Sequence, residues 1–523
     1  MRIVTRSIAL LVLAGFAGVA VHAAGAGPAA AAGAAPPAET VSSPAESTQP
    51  VETALPVETA PPAETAPRNV VLILSDDHRY DFMSFHERAP DFLETPGMDR
   101  LAAGGAHVAN AFVTTSLCSP SRASILTGQY AHRHGVVDNT SGIPPGTVFF
   151  PQLLHDAGWR TAYVGKWHMG EDRDDPRPGF DRWVSFRGQG GYTDPELNVD
   201  GERRRFEGYT TDVLTDFAIE WLEERRRDPA RPFFLMLSHK AVHAEFVPAP
   251  RHAGRYRDVP IPYPVTMPRT EANLRNQPRW VRAQRFGWHG VDYAYHGQFE
   301  FDTFYRRYSE TLLALDESVG RVLGWLEESG LAERTLLIYL SDNGFSLGEH
   351  GLIDKRHAYE ESIRIPMIAW GPGLVPQGAT IADLVRNIDV MPTILDLAGV
   401  EPTRPVDGRS VLPALRGERM ESPGELLYEY YWEHAFPHTP TTFALRGERF
   451  KYIYYHGVWD TQELYDLASD PDERFNLIDV PAFQETRQAM HDRLWKVLEE
   501  TGGMQIPLRR GDWQACERLE PQP

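Results

Sequence analysis

Three apolar runs, Asn69–Ser75, Pro232–Ser238 and Thr335–Ser341, share one design: an uninterrupted hydrophobic stretch that ends in serine. A strand with one wet face alternates, so an unbroken run predicts a strand covered on both faces, as in a parallel sheet. Ile365–Trp370 is a weaker version of the same pattern. Between the runs the period changes. Thr210–Arg227 and Tyr305–Ser329 read as amphipathic helices, the second carrying Leu312, Leu315, Val319, Val322 and Leu326 on one face. Strands alternating with helices predict an α/β core, a mostly parallel sheet flanked by helices, with ligands at the carboxyl ends of the strands. From about Leu426 the texture shifts. Glu425–Trp432, Thr442–Leu445 and Arg449–Tyr455 look like aromatic-rich hairpin strands, and Val480–Thr501 looks like a closing helix. The reading is therefore a core over residues 68–425 and a smaller antiparallel α+β subdomain over 426–523.

The N-terminus changes this picture only at its edge. Arg2 and Arg6 precede an apolar run from Ile8 to Val21 and the small-residue site Val21-His22-Ala23, the pattern of a secretory signal over residues 1–23. The run is too short for stable membrane insertion. Residues 24–67 are mostly Ala, Pro, Thr and Glu, a composition that cannot bury a core and predicts an extended linker. The expectation is an exported protein, periplasmic or extracellular. Its formal net charge of −20 disfavours nucleic acid or an anionic membrane as partner, so an anionic ligand needs a local basic pocket. The 2 cysteines, Cys118 and Cys516, would ordinarily pair in an exported chain.

Candidate chemistry gathers at the predicted strand ends. Asp76-Asp77 follows the first apolar run and Asp342-Asn343 follows the third, which puts oxygen donors on one rim of the sheet. Oxygen-only donors suit a hard cation such as calcium or magnesium. In Cys118-Ser-Pro-Ser-Arg122-Ala-Ser-Ile-Leu-Thr-Gly128, Pro120 suits a first helical position and Gly128 a C-terminal cap. Residues 120–127 thus read as a short helix with Cys118 just ahead of it, at an end that favours an anion.

That segment resembles the modification signature of type I sulfatases. The resemblance implies an alkaline-phosphatase-like fold, and oxidation of Cys118 to formylglycine (3-oxoalanine) by a formylglycine-generating enzyme. A disulfide to Cys516 would then be impossible. It further implies a Ca²⁺ site, or Mg²⁺, built from Asp76, Asp77, oxidised Cys118, Asp342 and Asn343. Gly165-Lys166-Trp-His168-Met-Gly170 matches the family block that carries a sulfate-binding lysine and a histidine beside the formylglycine. His243 in Ala241-Val242-His243 stands where the family has Ala-Pro-His, as candidate acid for the leaving group, and Lys355 matches a sulfate clamp. With Arg122, the two lysines would neutralise the sulfate oxygens, while His168 would accept a proton. His132, His134 and His239 are read as structural or supporting.

Blocks such as Tyr209–Asp216, Ile353–Arg356, Asn387–Asp389 and Leu464–Leu467 resemble the N-acetylglucosamine-6-sulfatase and mucin-desulfating branch, and look structural rather than sugar-binding. Sugar contacts are expected from two variable segments, 279–295 and 429–442, the latter carrying Trp432, His434 and His438. The expected activity is hydrolysis of sulfate monoesters on a sulfated carbohydrate. Two other readings fit the same residues: a phosphatase or phosphonate monoester hydrolase of the same superfamily, and a non-catalytic glycan-binding protein with unmodified Cys118.

Overall fold

A ten-stranded sheet organises the chain. In the computed structural model, residues 69–507 are described, apart from 171–172, 294–296, 298, 422–423 and 458–460. The expected signal segment, the linker and Cys516 lie outside the described residues. The strands are β1 (Asn69–Ser75), β2 (Ala106–Phe112), β3 (Arg160–Lys166), β4 (Arg182–Phe186), β5 (Glu196–Val199), β6 (Glu202–Arg205), β7 (Phe233–Ser238), β8 (Thr335–Ser341), β9 (Met367–Trp370) and β10 (Ala379–Arg386). Their spatial order is β10-β2-β9-β8-β1-β7-β3-β4-β5-β6.

The unbroken apolar runs occupy the middle for the reason their pattern predicted. β1, β7 and β8 are buried along their whole length, and β1 pairs parallel with both neighbours, Leu72 lying level with Met236 and Ile338. Only a strand covered by helices on both faces can be apolar at every position. The long helix Phe301–Ser329 lays Leu312, Leu315, Val319, Val322 and Leu326 onto this layer beside Thr210–Arg226 and Pro96–Gly104. The weaker run enters the sheet in the opposite sense: β9 pairs antiparallel with both β8 and β2. Residues 342–366, which include the short helix Glu360–Ile363, connect it to β8.

The second sheet is antiparallel, with β11 (Glu425–Tyr430), β12 (Thr442–Gly447), β13 (Phe450–Tyr455) and β14 (Glu463–Asp466) in sequential order. Gln484–Thr501 closes it, one short 3₁₀ turn later than the predicted helix start. Leu494, Val497 and Leu498 share a core with Leu427, Tyr452 and Leu464, and that core also takes in Tyr130, Ala131 and Ile388 from the larger part. His132 bolts the two together, its Nδ1 2.8 Å from Glu429 and its Nε2 3.1 Å from the Thr501 carbonyl. His134 meets Ser124 at 3.0 Å and His239 meets Ser318 at 3.0 Å, so both are structural. No helix among the described residues is long and apolar enough to cross a membrane.

Candidate active site

Parallel strands deliver their following residues to one edge, and the expected residues converge there. β1 runs into Asp76-Asp77, β8 into Asp342-Asn343, β3 ends on Lys166 with His168 beyond it, and β7 leads through Lys240 to His243. Cys118 opens the helix Cys118–Thr127, two residues earlier than the proline position predicted. Gly128 caps that helix in the left-handed region, φ 66°, and its N–H donates to the Ser124 carbonyl at 2.9 Å. The Ser119 N–H at the other end donates to Asn139 Oδ1 at 3.0 Å.

Cys118 lies under a net of opposite charges, fully buried. Its Sγ is 2.9 Å from Lys355 Nζ and 3.5 Å from Asp76 Oδ1. Burial, reinforced by Asp76, pushes the thiol up to about 12, against the opposing pull of Lys166 and Lys355. Lys166 pairs with Asp76, and Lys355 with Asp77. Burial opposes ionisation of Asp76, yet the charges around it, Lys166 foremost, hold its carboxyl well below the usual range. Asp342 goes the other way, to about 6, through burial and then its neighbour Asp76.

Arg122 faces inward. Its guanidinium donates to the Lys166 carbonyl at 2.7 Å, Ser238 Oγ at 2.6 Å and Asp342 Oδ2 at 2.8 Å. It therefore orients Asp342 and the end of β3 from beneath the site. Asn343 donates through Nδ2 to Asp77 Oδ1 at 2.6 Å and to the Gly344 carbonyl at 2.8 Å, which leaves its buried Oδ1 without a partner. Buried acceptors of this kind are rare unless something else binds them. Asp76, Asp77, Cys118 and His243 bring ligand atoms within 4.8 Å of one another. Three buried carboxylates and an unpaired amide oxygen fit a hard cation.

The two histidines are held as specific tautomers. His243 Nδ1 donates to the Ala244 carbonyl at 2.9 Å, turning Nε2 toward Asp77 Oδ2 at 3.8 Å. Lys240 Nζ donates to that same carbonyl at 2.7 Å. Burial, then Lys166, keeps His243 well below its ordinary value, and burial lowers Lys240 to about 8. Where the family motif has proline, the Val242 N–H donates to the Asp76 carbonyl at 2.7 Å, and Asp76 N–H returns a bond to Ala241 at 2.9 Å. A proline could not make the first of these. His168 meets Gln189, whose Nε2 lies 3.1 Å from His168 Nε2 while its Oε1 accepts from Lys166 at 2.5 Å. Gln189 is a site residue that the sequence reading missed. Its signal was a polar side chain amid Gly188, Gly190 and Gly191, directly after β4.

A cavity of about 410 Å³ opens above this floor. Of the expected residues, Asp77, His168, His243 and Lys355 line it, while Asp76, Cys118, Arg122, Lys166, Asp342 and Asn343 lie beneath. Asp354 and Arg356, read as structural, line it as well. Trp288, His289, Glu433 and Phe436 from the two variable segments complete the wall, whereas Trp432 and His434 do not reach it. Trp280 packs against Tyr455 instead. Backbone pairing places the wall: Gly290 bridges Leu352, and the Ile353 N–H donates to the His289 carbonyl at 2.8 Å.

The sequence model of the sulfatase family matches residues 68–400, and that of the C-terminal part of N-sulphoglucosamine sulphohydrolase matches 348–500. The chain belongs to the sulfatase family. An N-acetylglucosamine-6-O-sulfatase of Bacteroides thetaiotaomicron is 33% identical to this sulfatase over 83% of its chain and 86% of the relative. The human N-acetylglucosamine-6-sulfatase is 28% identical over 78% of this chain and 80% of its own. A solved structure of a protein in complex with its substrate, D-glucosamine-2-N,6-O-disulfate, superposes with a TM-score of 0.77 at 30% identity, covering 85% of this chain and 100% of the other. The enzyme class, a sulfuric ester hydrolase, and the alkaline-phosphatase-like α/β fold with a smaller antiparallel sheet both follow.

Proposed function

We propose that this sulfatase hydrolyses a sulfate ester on a carbohydrate, with 6-O-sulfated N-acetylglucosamine as the sulfated ring, through a formylglycine formed from Cys118. The observation that carries the reading is the placement of Cys118 between Lys355 and Asp76, beneath a cavity whose walls hold aromatic and polar groups. The names of the two sugar sulfatases above and the disulfated glucosamine of the superposed structure support the sugar. Oxidation at residue 118 would supply a hydrated aldehyde, two hydroxyls on one carbon, one to attack sulfur and the other to expel sulfate. Asp76, Asp77, Asp342, Asn343 and the side chain at 118 would hold Ca²⁺, or Mg²⁺. A cation held there would polarise the ester and offset the charge of its oxygens.

The chain's own groups do the rest. Lys355, against residue 118, and Lys166, paired with the neighbouring Asp76, donate to the sulfate oxygens. His243, with Nδ1–H fixed on Ala244, presents Nε2 to the cavity, where it hands a proton to the departing sugar oxygen. Burial first and then Lys166 keep His243 neutral; an incoming sulfate offsets the lysine part, so substrate binding raises its proton affinity. His168, held by Gln189, takes the proton released at residue 118.

Maturation would need a formylglycine-generating enzyme, and residues 1–23 would direct export to the periplasm or beyond, with 24–67 as linker to a catalytic part and a C-terminal subdomain divided near residue 425. Mass spectrometry of the Cys118 peptide from exported protein, paired with sulfate release from 6-O-sulfated N-acetylglucosamine, tests the reading. An aldehyde at residue 118, with activity lost on chelation and restored by Ca²⁺ or Mg²⁺, is expected. An intact thiol in a fully active enzyme, recovery by zinc alone, or phosphate ester cleavage outrunning sulfate release overturns it.

A further inference from the structure

The active cavity does not end at its own wall. It shares Trp288, His289 and Phe436 with a second cavity of about 350 Å³, whose remaining lining includes Gln284, Pro437 and His438. The two differ in charge. Asp77, Asp354, Lys355, Arg356 and Glu433 line the first, whereas none of the described residues that line the second is Asp, Glu, Lys or Arg.

The partition between them is braced. Arg356 is pinned by Asp354 at 3.0 Å and Glu433 at 2.6 Å, and its guanidinium carbon sits 3.5 Å from the centre of the Phe436 ring. His289 stacks on the same ring at 5.0 Å. Burial opposes the charge on Arg356, but Glu433 and Asp354 outweigh it and keep it cationic. Those carboxylates hold Arg356 in the partition. Trp288 differs from these neighbours in its exposure, 59%.

We propose that the second cavity is a subsite for the sugar ring joined to the sulfated one, and that it selects an uncharged hexose over a uronic acid or a second sulfated ring. The inference rests on the reading that the sulfated ring occupies the first cavity. A sugar offers an apolar C–H face, which suits an indole, and hydroxyls, which suit Gln284 and His438. A carboxylate or sulfate entering the same space would lose water without meeting a lysine or arginine, which is costly. The continuity of the two cavities through shared walls is what commits the occupant to the neighbouring ring of one substrate.

Three saccharides test this: 6-O-sulfated N-acetylglucosamine alone, the same ring joined to galactose, and the same ring joined to a uronic acid. In the wild type, kcat/KM for the galactose conjugate should exceed that for the uronic acid conjugate by about tenfold or more, a difference of one unpaired charge. Trp288→Ala should shrink the advantage of the galactose conjugate over the monosaccharide by about tenfold, chiefly through KM. His438→Arg, at an exposed position, should shift preference toward the uronic acid conjugate. Equal losses on monosaccharide and conjugate in Trp288→Ala, or a wild type that prefers the uronic acid, overturn the proposal. If the wild type releases sulfate from none of the three, the proposed function falls. Calorimetric affinities for the same compounds then decide the subsite alone: tighter binding of the galactose conjugate, lost in Trp288→Ala, supports it, and equal affinities overturn it.

Discussion

Two of the regions in which this molecule buries charge do so to opposite ends. Beneath Cys118, Lys166, Lys355 and Arg122 face Asp76, Asp77 and Asp342, and Asn343 keeps an unpartnered oxygen among them. Behind the second sheet, Lys451 is held by Glu360 at 2.9 Å, Glu473 at 2.8 Å and the Ala358 carbonyl at 2.8 Å. Close by, Glu463 accepts from Tyr359 at 2.9 Å and also from Tyr455 and Tyr465. The first region borders a cavity and, although its lysines pair with Asp76 and Asp77, leaves the Asn343 Oδ1 acceptor unpaired among the carboxylates, where a cation would sit. The second borders other side chains, and its lysine meets only protein acceptors. Burial alone therefore says little about function. What separates the two is whether the partners are supplied by the chain or left for a ligand, and buried pairs of the second kind specify structure without needing to stabilise it.

The sharpest way to break this contrast is at residue 118. Cys118→Ala should lower sulfate release by about 10⁴-fold or more while leaving thermal unfolding almost unchanged, because the lost atoms react rather than pack. Cys118→Ser should instead accumulate a sulfated serine, visible by mass spectrometry, since it lacks the second hydroxyl. Wild-type turnover in Cys118→Ala would place the chemistry elsewhere.

Lys451→Met should show the reverse profile. Leaving Glu360 and Glu473 without their cation costs about 3–5 kcal/mol of stability, read by denaturant unfolding, while kcat of the folded fraction stays near wild type. A stable but inactive variant would merge the two regions into one functional unit.

Loss of His243 tests the proton path within the first region. His243→Ala should slow sugar esters by about 10²-fold or more yet barely affect aryl esters, whose leaving oxygen needs no proton. Equal slowing of both would assign His243 to binding alone.

The smallest effect concerns pH and the second region. Burial raises Glu463 from its ordinary 4.5 to about 7, although three tyrosine hydroxyls pull the other way. A carboxyl raised on folding is protonated in both states below pH 4.5, and its favourable contribution is lost as pH climbs through 7. Wild-type stability should therefore fall by up to about 3 kcal/mol over that window relative to Glu463→Gln. Parallel pH profiles of unfolding in the two proteins would show that Glu463 is ionised at neutral pH.

The amino-acid pattern by itself determined β1, β7 and β8, the polar pairs Asp76-Asp77 and Asp342-Asn343 that follow β1 and β8, and the helix carrying Cys118. Each is a local property: an unbroken apolar run, its polar terminus, or a proline and glycine bracketing one short helix. The tertiary structure alone decided the rest. That Gln189 joins Lys166 to His168, that Lys240 and His243 share one carbonyl, and that His289 and Phe436 meet across two distant segments depend on strand order and loop pairing. The antiparallel entry of β9, and the cavity position of Asp354 and Arg356 in a block that read as structural, have the same origin. A sequence states which residues can be buried or charged, but long-range pairing chooses which of them become neighbours, and chemistry needs neighbours.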